Sequence, residues 1–402
     1  MKLHSNTVQG VIDALDEIFH HQAYADKVIE RIFRAHPKWG ARDRAFVAET
    51  IYEMVRWWRL IGQLSPTDNH YHLFGTYWIW KGKELPEWKE FAKLDPKKIF
   101  QKLRTITDRA TLASIPDWLD ELGKTSLGDK WTMELAALND QADVVLRVNT
   151  LKISRYDLAN KLNEEGIITY QPRDYPDALV LKERQNVFRT AAFKEGLFEV
   201  QDASSQLVAR ALNVEPGMRV VDACAGAGGK SLHLAALMEN KGRILAMDVL
   251  DYKLKNTKLR SRRAGVSIIE TRVIENSKTI KRLKSSADRL LLDAPCSGLG
   301  VLRRNPDTKW KITPEEIDRV KGIQQDILQQ YSTMLRPGGL MVYATCSILP
   351  EENEIQVQRF LASEAGKNFH LLRDKKVLAH ESGYDGFYVA TLEKSEEEVV
   401  KP

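Results

Sequence analysis

The sequence predicts an α/β chain in three parts. An all-helical domain occupies residues 1–125, linker helices and a small α+β module occupy 126–195, and an α/β domain with an open, mostly parallel sheet occupies 196–395, followed by a disordered tail at 396–402. Three observations carry this reading. Helix-period apolar spacing runs through the N-terminal part with few strand signals. From Ala142 onward short strands and helices alternate. From Arg219 an apolar strand passes through a glycine-rich turn into a helix, and two later apolar runs, at 290–292 and 339–344, end in turns carrying an acid and thiols.

In the helical part, Val8, Val11, Ile12, Leu15 and Ile18 mark one apolar face, Val28, Ile32 and Phe33 a second, and Phe46, Val47, Ile51, Tyr52, Val55 and Trp58 a third. Gly40-Ala41-Arg42-Asp43-Arg44 reads as a turn followed by an Asp cap. The stretch 70–93 holds Tyr71, Tyr77, Trp78, Trp80 and Trp88 among lysines. Such aromatics stack on bases in some proteins, but packing within the core is the commoner use of large rings.

The α+β module reads as a strand at 144–150, a helix at 155–165 and strands at 167–170 and 178–181. Its Arg147, Lys152, Arg155 and Lys161 could contact phosphates, but from composition alone scattered, solvated surface charge is the favoured reading.

In the α/β part a helix is expected from Gln206 to Leu212, then the strand Arg219-Val220-Val221-Asp222 and the turn Ala223-Cys224-Ala225-Gly226-Ala227-Gly228-Gly229-Lys230-Ser231, which leads into a helix to Met238. Glycines at such a turn let backbone approach a ligand, and the helix start offers amide donors. Asp248 ends the next strand, where an acid suits the two hydroxyls of a ribose. A P-loop is disfavoured because Cys224 stands where its first glycine is required. The run at 290–292 reads as a buried parallel strand that delivers Asp293-Ala294-Pro295-Cys296-Ser297-Gly298 to its carboxyl end, where open α/β sheets bind ligands. Arg336-Pro337-Gly338-Gly339 turns into a second such strand, which ends at Thr345-Cys346-Ser347, so two thiols face one crevice. Helices are expected at 314–335 and 351–361, and a frayed, charged end from Glu393.

Hydrophobic residues make up 43% and charged residues 29% of the 402, which fits a globular chain with room for more than one core. The net charge of +5 hints at a polyanionic partner. The N-terminus lacks the apolar core of a signal peptide and no run reaches membrane-spanning length, so the expectation is a cytoplasmic protein without membrane partners. Its three cysteines show no CxxC spacing, which argues against metal and disulfides and leaves reduced thiols as nucleophiles.

The glycine turn, the Asp-Ala-Pro-Cys turn and the Thr-Cys-Ser turn occur in this order, together with Arg303-Arg304-Asn305-Pro306-Asp307, Glu351-Glu352-Asn353-Glu354 and Asp385-Gly386-Phe387-Tyr388. In this the chain resembles the RNA (cytosine-5) methyltransferase family, of the bacterial Sun or Fmu type that acts on ribosomal RNA. The segment Leu146-Arg147-Val148-Asn149-Thr150-Leu151-Lys152 resembles the start of the small domain preceding that family's catalytic domain. Arg42-Asp43-Arg44-Ala45-Phe46 and Arg56-Trp57-Trp58 resemble a NusB-like helical RNA-binding domain.

The resemblance implies a Rossmann-like methyltransferase sheet, S-adenosylmethionine as donor and a cytosine in RNA, 16S ribosomal RNA by preference, as acceptor for a monomeric enzyme of rRNA processing. It makes Cys346 the nucleophile, Cys296 the group that assists product release, and Asp293 a hydrogen-bonding partner of the cytosine edge. The cofactor would lie against Cys224, Ala225, Gly226, Ala227, Gly228, Gly229, Lys230, Asp248 and Asp293. Asn276 fills the place of the adenine-contacting acid, with Glu275 as the other candidate, and Gly226-Ala227 replaces the family's usual Ala-Pro. Lys230 suits the cofactor carboxylate, the base pocket or a plain helix start. Arg303, Arg304 and Lys309, beside Trp310, form a basic loop suited to the phosphates around an extruded nucleotide.

The chemistry agrees with those residue types. C5 of cytosine is a poor nucleophile until a thiolate adds at C6, and a second group must then take the C5 proton so that the thiolate can leave. A transfer-RNA substrate, or an RNA-binding assembly factor without catalysis, are the alternatives. A DNA cytosine-5 methyltransferase leaves the second thiol and the helical N-terminus unexplained.

Overall fold

The computed structural model describes residues 3–396. The chain divides into two compact units, one formed by the residues up to Asp140 together with Leu302–Ile312, the other by Gln141–Val301 and the residues from Thr313 onward. The helical part thus reaches Asp140 rather than residue 125, and it includes a segment from far along the sequence.

In the helical unit the expected apolar faces converge. Val8, Val11, Leu15, Ile18, Val28, Ile32, Val47, Ile51 and Val55 lie in one core with Tyr77 and Trp78. Tyr71, Trp80 and Trp88 pack against its edge, so the aromatic stretch serves packing. The helix Ala41–Arg56 is capped by Gly40, which leaves Asp43 in its first turn, where a negative charge favours the helix dipole, and not at the cap itself. Arg44 is turned inward: its guanidinium donates to the carbonyls of Phe33, His36 and Trp39, satisfying the end of the helix Ala25–Ala35.

Leu302–Ile312 is tied into this unit by hydrogen bonds that the sequence does not announce. Asp307 Oδ2 accepts from Ala25 N at 2.9 Å, Trp310 Nε1 donates to Val55 O at 2.7 Å, and the buried Arg56 donates to the carbonyls of Leu302 and Arg303. Lys309 is 1% exposed and donates to Asn139 Oδ1 at 3.1 Å. This corrects the expectation that Lys309 meets RNA phosphates. Burial pushes its pKa well down, and the neighbouring Arg56 adds to the shift.

The second unit holds two sheets. The smaller contains β1 (Val145–Val148), β2 (Thr169–Tyr170), β3 (Ala178–Leu181) and β4 (Phe198–Val200), antiparallel in the order β2-β3-β1-β4. Leu146 faces Leu179 on one side and Val200 on the other, and the helix Arg155–Glu164 lays Leu158 and Leu162 into the same core. Because β4 belongs to this sheet, a boundary at 195/196 cuts through the module.

The larger sheet contains β5 (Arg219–Asp222), β6 (Arg243–Asp248), β7 (Ile269–Val273), β8 (Ala287–Asp293), β9 (Leu335–Thr345), β10 (Phe369–Val377) and β11 (Phe387–Lys394), in the order β10-β11-β9-β8-β5-β6-β7. The pairs from β9 to β7 are parallel, while β11 runs antiparallel to both β9 and β10. The strand order reverses between β5 and β8, so the sheet has its switch point at the carboxyl ends that carry Asp222 and Asp293. This is the expected Rossmann-like arrangement. Arg336-Pro337-Gly338-Gly339 forms a bulge inside β9: Ala287 pairs with Leu335, yet Arg289 already pairs with Leu340, and Gly338 takes φ +71°.

Helix starts differ from expectation in ways that matter for the site. The helix Ala203–Ala211 begins earlier than Gln206 because Asp202 caps it. The helix Gly229–Leu237 begins within the glycine turn, with Gly228 at φ +79° as its cap. Pro350–Glu352 forms a 3₁₀ turn and the following helix starts only at Glu354. The helix Pro314–Tyr331 ends short of Leu335. At the C-terminus β11 runs to Lys394; the rest of the expected tail, 397–402, lies outside the described residues. Among the described residues no helix is long and apolar enough to cross a membrane.

Candidate active site

β8 and β9 are neighbours in register, with Asp293 opposite Ala344, so their two exit turns leave the sheet side by side. Cys296 and Cys346 therefore meet: their Sγ atoms lie 3.3 Å apart, both half-buried. The Cys296 thiol is pushed well above its ordinary pKa, first by its hydrogen bond with Cys346 and then by burial, with the charges of Cys346 and Glu352 adding to it. Gly300 N donates to Cys346 O at 2.9 Å and Gly386 N to Gly300 O at 2.7 Å. A side chain at Gly300 would collide with the Gly386 carbonyl, which explains a glycine there.

Lys230 sits in the first turn of the Gly229–Leu237 helix and reaches across the switch point. Its Nζ lies 2.6 Å from Asp293 Oδ2 and 5.1 Å from the centre of the Phe387 ring. Lys230 is thus paired with the acid beside the thiols. Asp222, wholly buried beneath the glycine turn, accepts from Ser231 Oγ at 2.6 Å through Oδ2, while its Oδ1 has no hydrogen-bond partner. Burial raises its pKa to about 7.

Cys224 has its thiol pushed well up by burial, and the charges of Asp222, Asp293 and Asp248 reinforce the shift. It remains a protonated lining group and not a nucleophile.

The turn carrying Gly226 (φ +54°) and Gly228 is held from outside by its carbonyls. Thr257 Oγ1 donates to Gly226 O at 3.3 Å, Arg260 to Ala227 O at 2.8 Å, and Arg147 to Gly229 O at 2.5 Å. Asp248 accepts from Gly226 N and Leu250 N, both at 2.9 Å, which fixes its carboxylate at the end of β6. An unpartnered buried oxygen on Asp222, a left-handed glycine turn and a fixed acid at the next strand end together fit S-adenosylmethionine. Gly226 to Lys230 would take its amino-acid end and Asp248 its ribose. Asn276 is exposed, and its side chain caps the helix Ser277–Lys281 by accepting from Lys278 N. Glu275 is exposed beside it.

Some residues in this site escaped sequence reasoning. Val249 is 61% exposed directly after Asp248, with Leu250 also exposed, giving an apolar surface that suits a purine face. Arg147, read as a solvated surface charge or a phosphate contact, is 4% exposed and points inward at Gly229 O and Gln201. Its signal was present: an arginine inside the apolar strand Val145–Val148 has to pair internally. Lys152, Arg155 and Lys161 are likewise engaged within this unit, on Glu195 O and Arg263 O, on Pro172 O and Tyr175 O, and on the Glu195 carboxylate. Arg303 and Arg304 are half-buried in the helical unit.

A family model described as 16S rRNA methyltransferase RsmB/F matches residues 209–393, and one described as the ferredoxin-like domain of RsmF/B-like methyltransferases matches 115–188. The chain is 31% identical to a probable ribosomal RNA small subunit methyltransferase B of Synechocystis sp., over 95% of this chain and 98% of that one. It is 36% identical to ribosomal RNA small subunit methyltransferase B of Pasteurella multocida, over 69% of this chain and 65% of that one. Among solved structures it is similar to the crystal structure of PH0851, with a TM-score of 0.82, 25% identity and coverage of 98% of this chain and 100% of that one.

Proposed function

The chain belongs to the 16S rRNA methyltransferase RsmB/F family, and from that membership we propose that it methylates C5 of a cytosine in 16S ribosomal RNA through a covalent bond between Cys346 and C6. The methyl donor is S-adenosylmethionine, which when bound supplies an electrophilic methyl group.

The observation that carries the reading is the approach of the two thiols, 3.3 Å apart, beside the Lys230–Asp293 pair. A thiol that keeps its proton hydrogen-bonds to and stabilises a thiolate on its neighbour, and by the family resemblance Cys346 is the one that attacks. The Cys346 thiolate adds to C6, and the ring electrons move to C5, which takes the methyl group. Once Cys346 is bonded to carbon its sulfur carries no negative charge, so a thiolate on Cys296 no longer faces a like charge beside it. Cys296 then loses its proton to solvent, takes the C5 proton as a base, and the C6–S bond breaks to release Cys346 as thiolate.

Asp293 offers an acceptor for the cytosine amino group, and Lys230 a cationic donor for N3, which complements the edge of an extruded cytosine. Within the helical unit, Arg303 and Arg304 are read as RNA contacts on the strength of the family resemblance alone. On the resemblance of Arg42-Asp43-Arg44-Ala45-Phe46 and Arg56-Trp57-Trp58 to a NusB-like domain, residues 1–125 are read as an RNA-binding part, in which Arg42 is exposed.

The test is incubation of the enzyme with labelled S-adenosylmethionine and, separately, 16S rRNA, small ribosomal subunits and transfer RNA, followed by bisulfite sequencing. The reading expects 5-methylcytosine at one position of 16S rRNA. Label confined to transfer RNA, or on any atom other than C5, would overturn it.

A further inference from the structure

Behind the two thiol turns lies a carboxyl group that this chemistry has not used. Glu352 is 0% exposed, and both of its oxygens accept hydrogen bonds. Oε2 accepts from Ser297 N at 2.8 Å and Gln324 Nε2 at 3.0 Å, and Oε1 accepts from Ser297 Oγ and from Ser347 Oγ at 2.5 Å. Ser297 directly follows Cys296, and Ser347 directly follows Cys346. One side chain is therefore bonded to the residue after each thiol.

Glu352 is itself held in place. Tyr343 Oη donates to Glu352 O at 2.7 Å, and the adjacent Asn353 donates to Ser347 O at 2.9 Å while accepting from Thr345 Oγ1. Gln324 Nε2 also donates to Pro295 O at 3.0 Å, so the same amide grips the chain just before Cys296. The 3₁₀ turn Pro350–Glu352 keeps Glu352 out of the following helix and directs it back at the two turns. Burying a carboxyl group is costly unless its oxygens are fully hydrogen-bonded, and an apolar side chain would fill such a space without that cost. What the carboxyl group adds is a junction between two separate turns.

We propose that Glu352 is a positioning residue that ties the Cys296 turn to the Cys346 turn and holds the two thiols at the separation covalent methyl transfer requires. The inference rests on the cytosine-C5 reading for its function, but its geometry is testable without RNA. Glu352 also contributes to the raised pKa of Cys296.

Glu352→Gln preserves size but removes the charge and replaces one accepting oxygen with an amide donor: turned toward Ser297 N and Gln324 Nε2 it meets donors, and turned toward the Ser297 and Ser347 hydroxyls it ends the bonds both donate to the carboxylate. Dibromobimane fluoresces once both its arms have alkylated thiols, and peptide masses locate the bridge. Wild type should bridge Cys296 to Cys346, and Glu352→Gln should bridge them about tenfold more slowly, the effect of one lost buried hydrogen bond, while iodoacetamide still labels each thiol. In methyl transfer kcat should fall about a hundredfold, with KM for RNA and the affinity for S-adenosylmethionine within about threefold of wild type.

Bridging at the wild-type rate in Glu352→Gln would overturn the proposal whatever the RNA assay gives. Slowed bridging in an enzyme whose wild type methylates no cytosine would support the tie and overturn the cytosine reading alone. Should Glu352→Gln fail to fold by circular dichroism, Ser297→Ala and Ser347→Ala each remove one hydroxyl donor. Slowed bridging in them supports the tie, and unchanged bridging in both overturns it.

Discussion

The ammonium of Lys230 lies 2.6 Å from Asp293 Oδ2, joining the first turn of the helix after β5 to the last residue of β8. Residues 63 positions apart are thus brought together at the switch point of the sheet. If the pair grips the cytosine edge as one unit, Lys230→Met and Asp293→Asn should each lower kcat by roughly 10²–10⁴-fold. The double variant should lose little more than the worse single one, because each change already disables the pair. Single-turnover kinetics on saturating RNA reads both effects, and fully additive losses would show that the residues act separately.

Arg147 joins the small module to the cofactor turn through Gly229 O. Arg147→Met should weaken S-adenosylmethionine binding about tenfold, or ~1.4 kcal/mol, by releasing that carbonyl. Arg155→Met provides the comparison: Arg155 donates to Pro172 O and Tyr175 O within the small module, so the affinity should stay as in wild type. Isothermal titration calorimetry without RNA measures both.

Two buried groups near the same turn give the stability opposite dependences on pH. Burial raises Asp222 from 3.8 to about 7, so the native state favours its protonated form; its contribution is complete below pH 3.8 and is lost as pH rises through about 7. Burial lowers His233 from 6.5 to about 4, despite its hydrogen bond with Asp177; its contribution is complete above pH 6.5 and is lost as pH falls through about 4. Asp222→Asn should therefore gain Tm relative to wild type as pH rises from 4 to 7. His233→Gln should gain relative to wild type as pH falls from 6.5 to 4. Each kcal/mol of the difference amounts to roughly 2–4 °C for a unit of this size. Thermal melts across this range test the assignment, and pH-independent differences would refute it.

Lys309 tests the correction to the basic loop. With its ammonium buried on Asn139, Lys309→Met should leave both RNA affinity and its salt dependence unchanged. A lysine on a phosphate would instead reduce the slope of log K against log salt by about one. Filter binding at several salt concentrations separates the two.

Those outcomes also mark where sequence reading succeeds. The strand ends at Asp222, Asp248, Asp293 and Thr345 were legible because buried parallel strands are continuous apolar runs that stop at turn residues. The meeting of Cys296 and Cys346 followed from two such ends in one sheet. The placement of Leu302–Ile312 was not legible, because a basic loop with a tryptophan looks the same whether it meets RNA or caps a helix almost 300 residues away, as Asp307 does for Ala25. Strand β4 was missed as part of the small sheet because Phe198-Glu199-Val200 is short and its partner, β1, lies about 50 residues earlier. Arg147 and Glu352 were seen as residues but not as junctions, since what each one joins is set by tertiary contacts alone.

The most direct test of the account is covalent trapping. Cys296→Ala and Cys346→Ala are each incubated with 16S rRNA and S-adenosylmethionine, and protein–RNA adducts that survive denaturant are quantified on gels. If Cys346 is the nucleophile and Cys296 takes the C5 proton, Cys296→Ala accumulates the adduct and Cys346→Ala forms none. An adduct that persists in Cys346→Ala and is absent from Cys296→Ala would contradict the account.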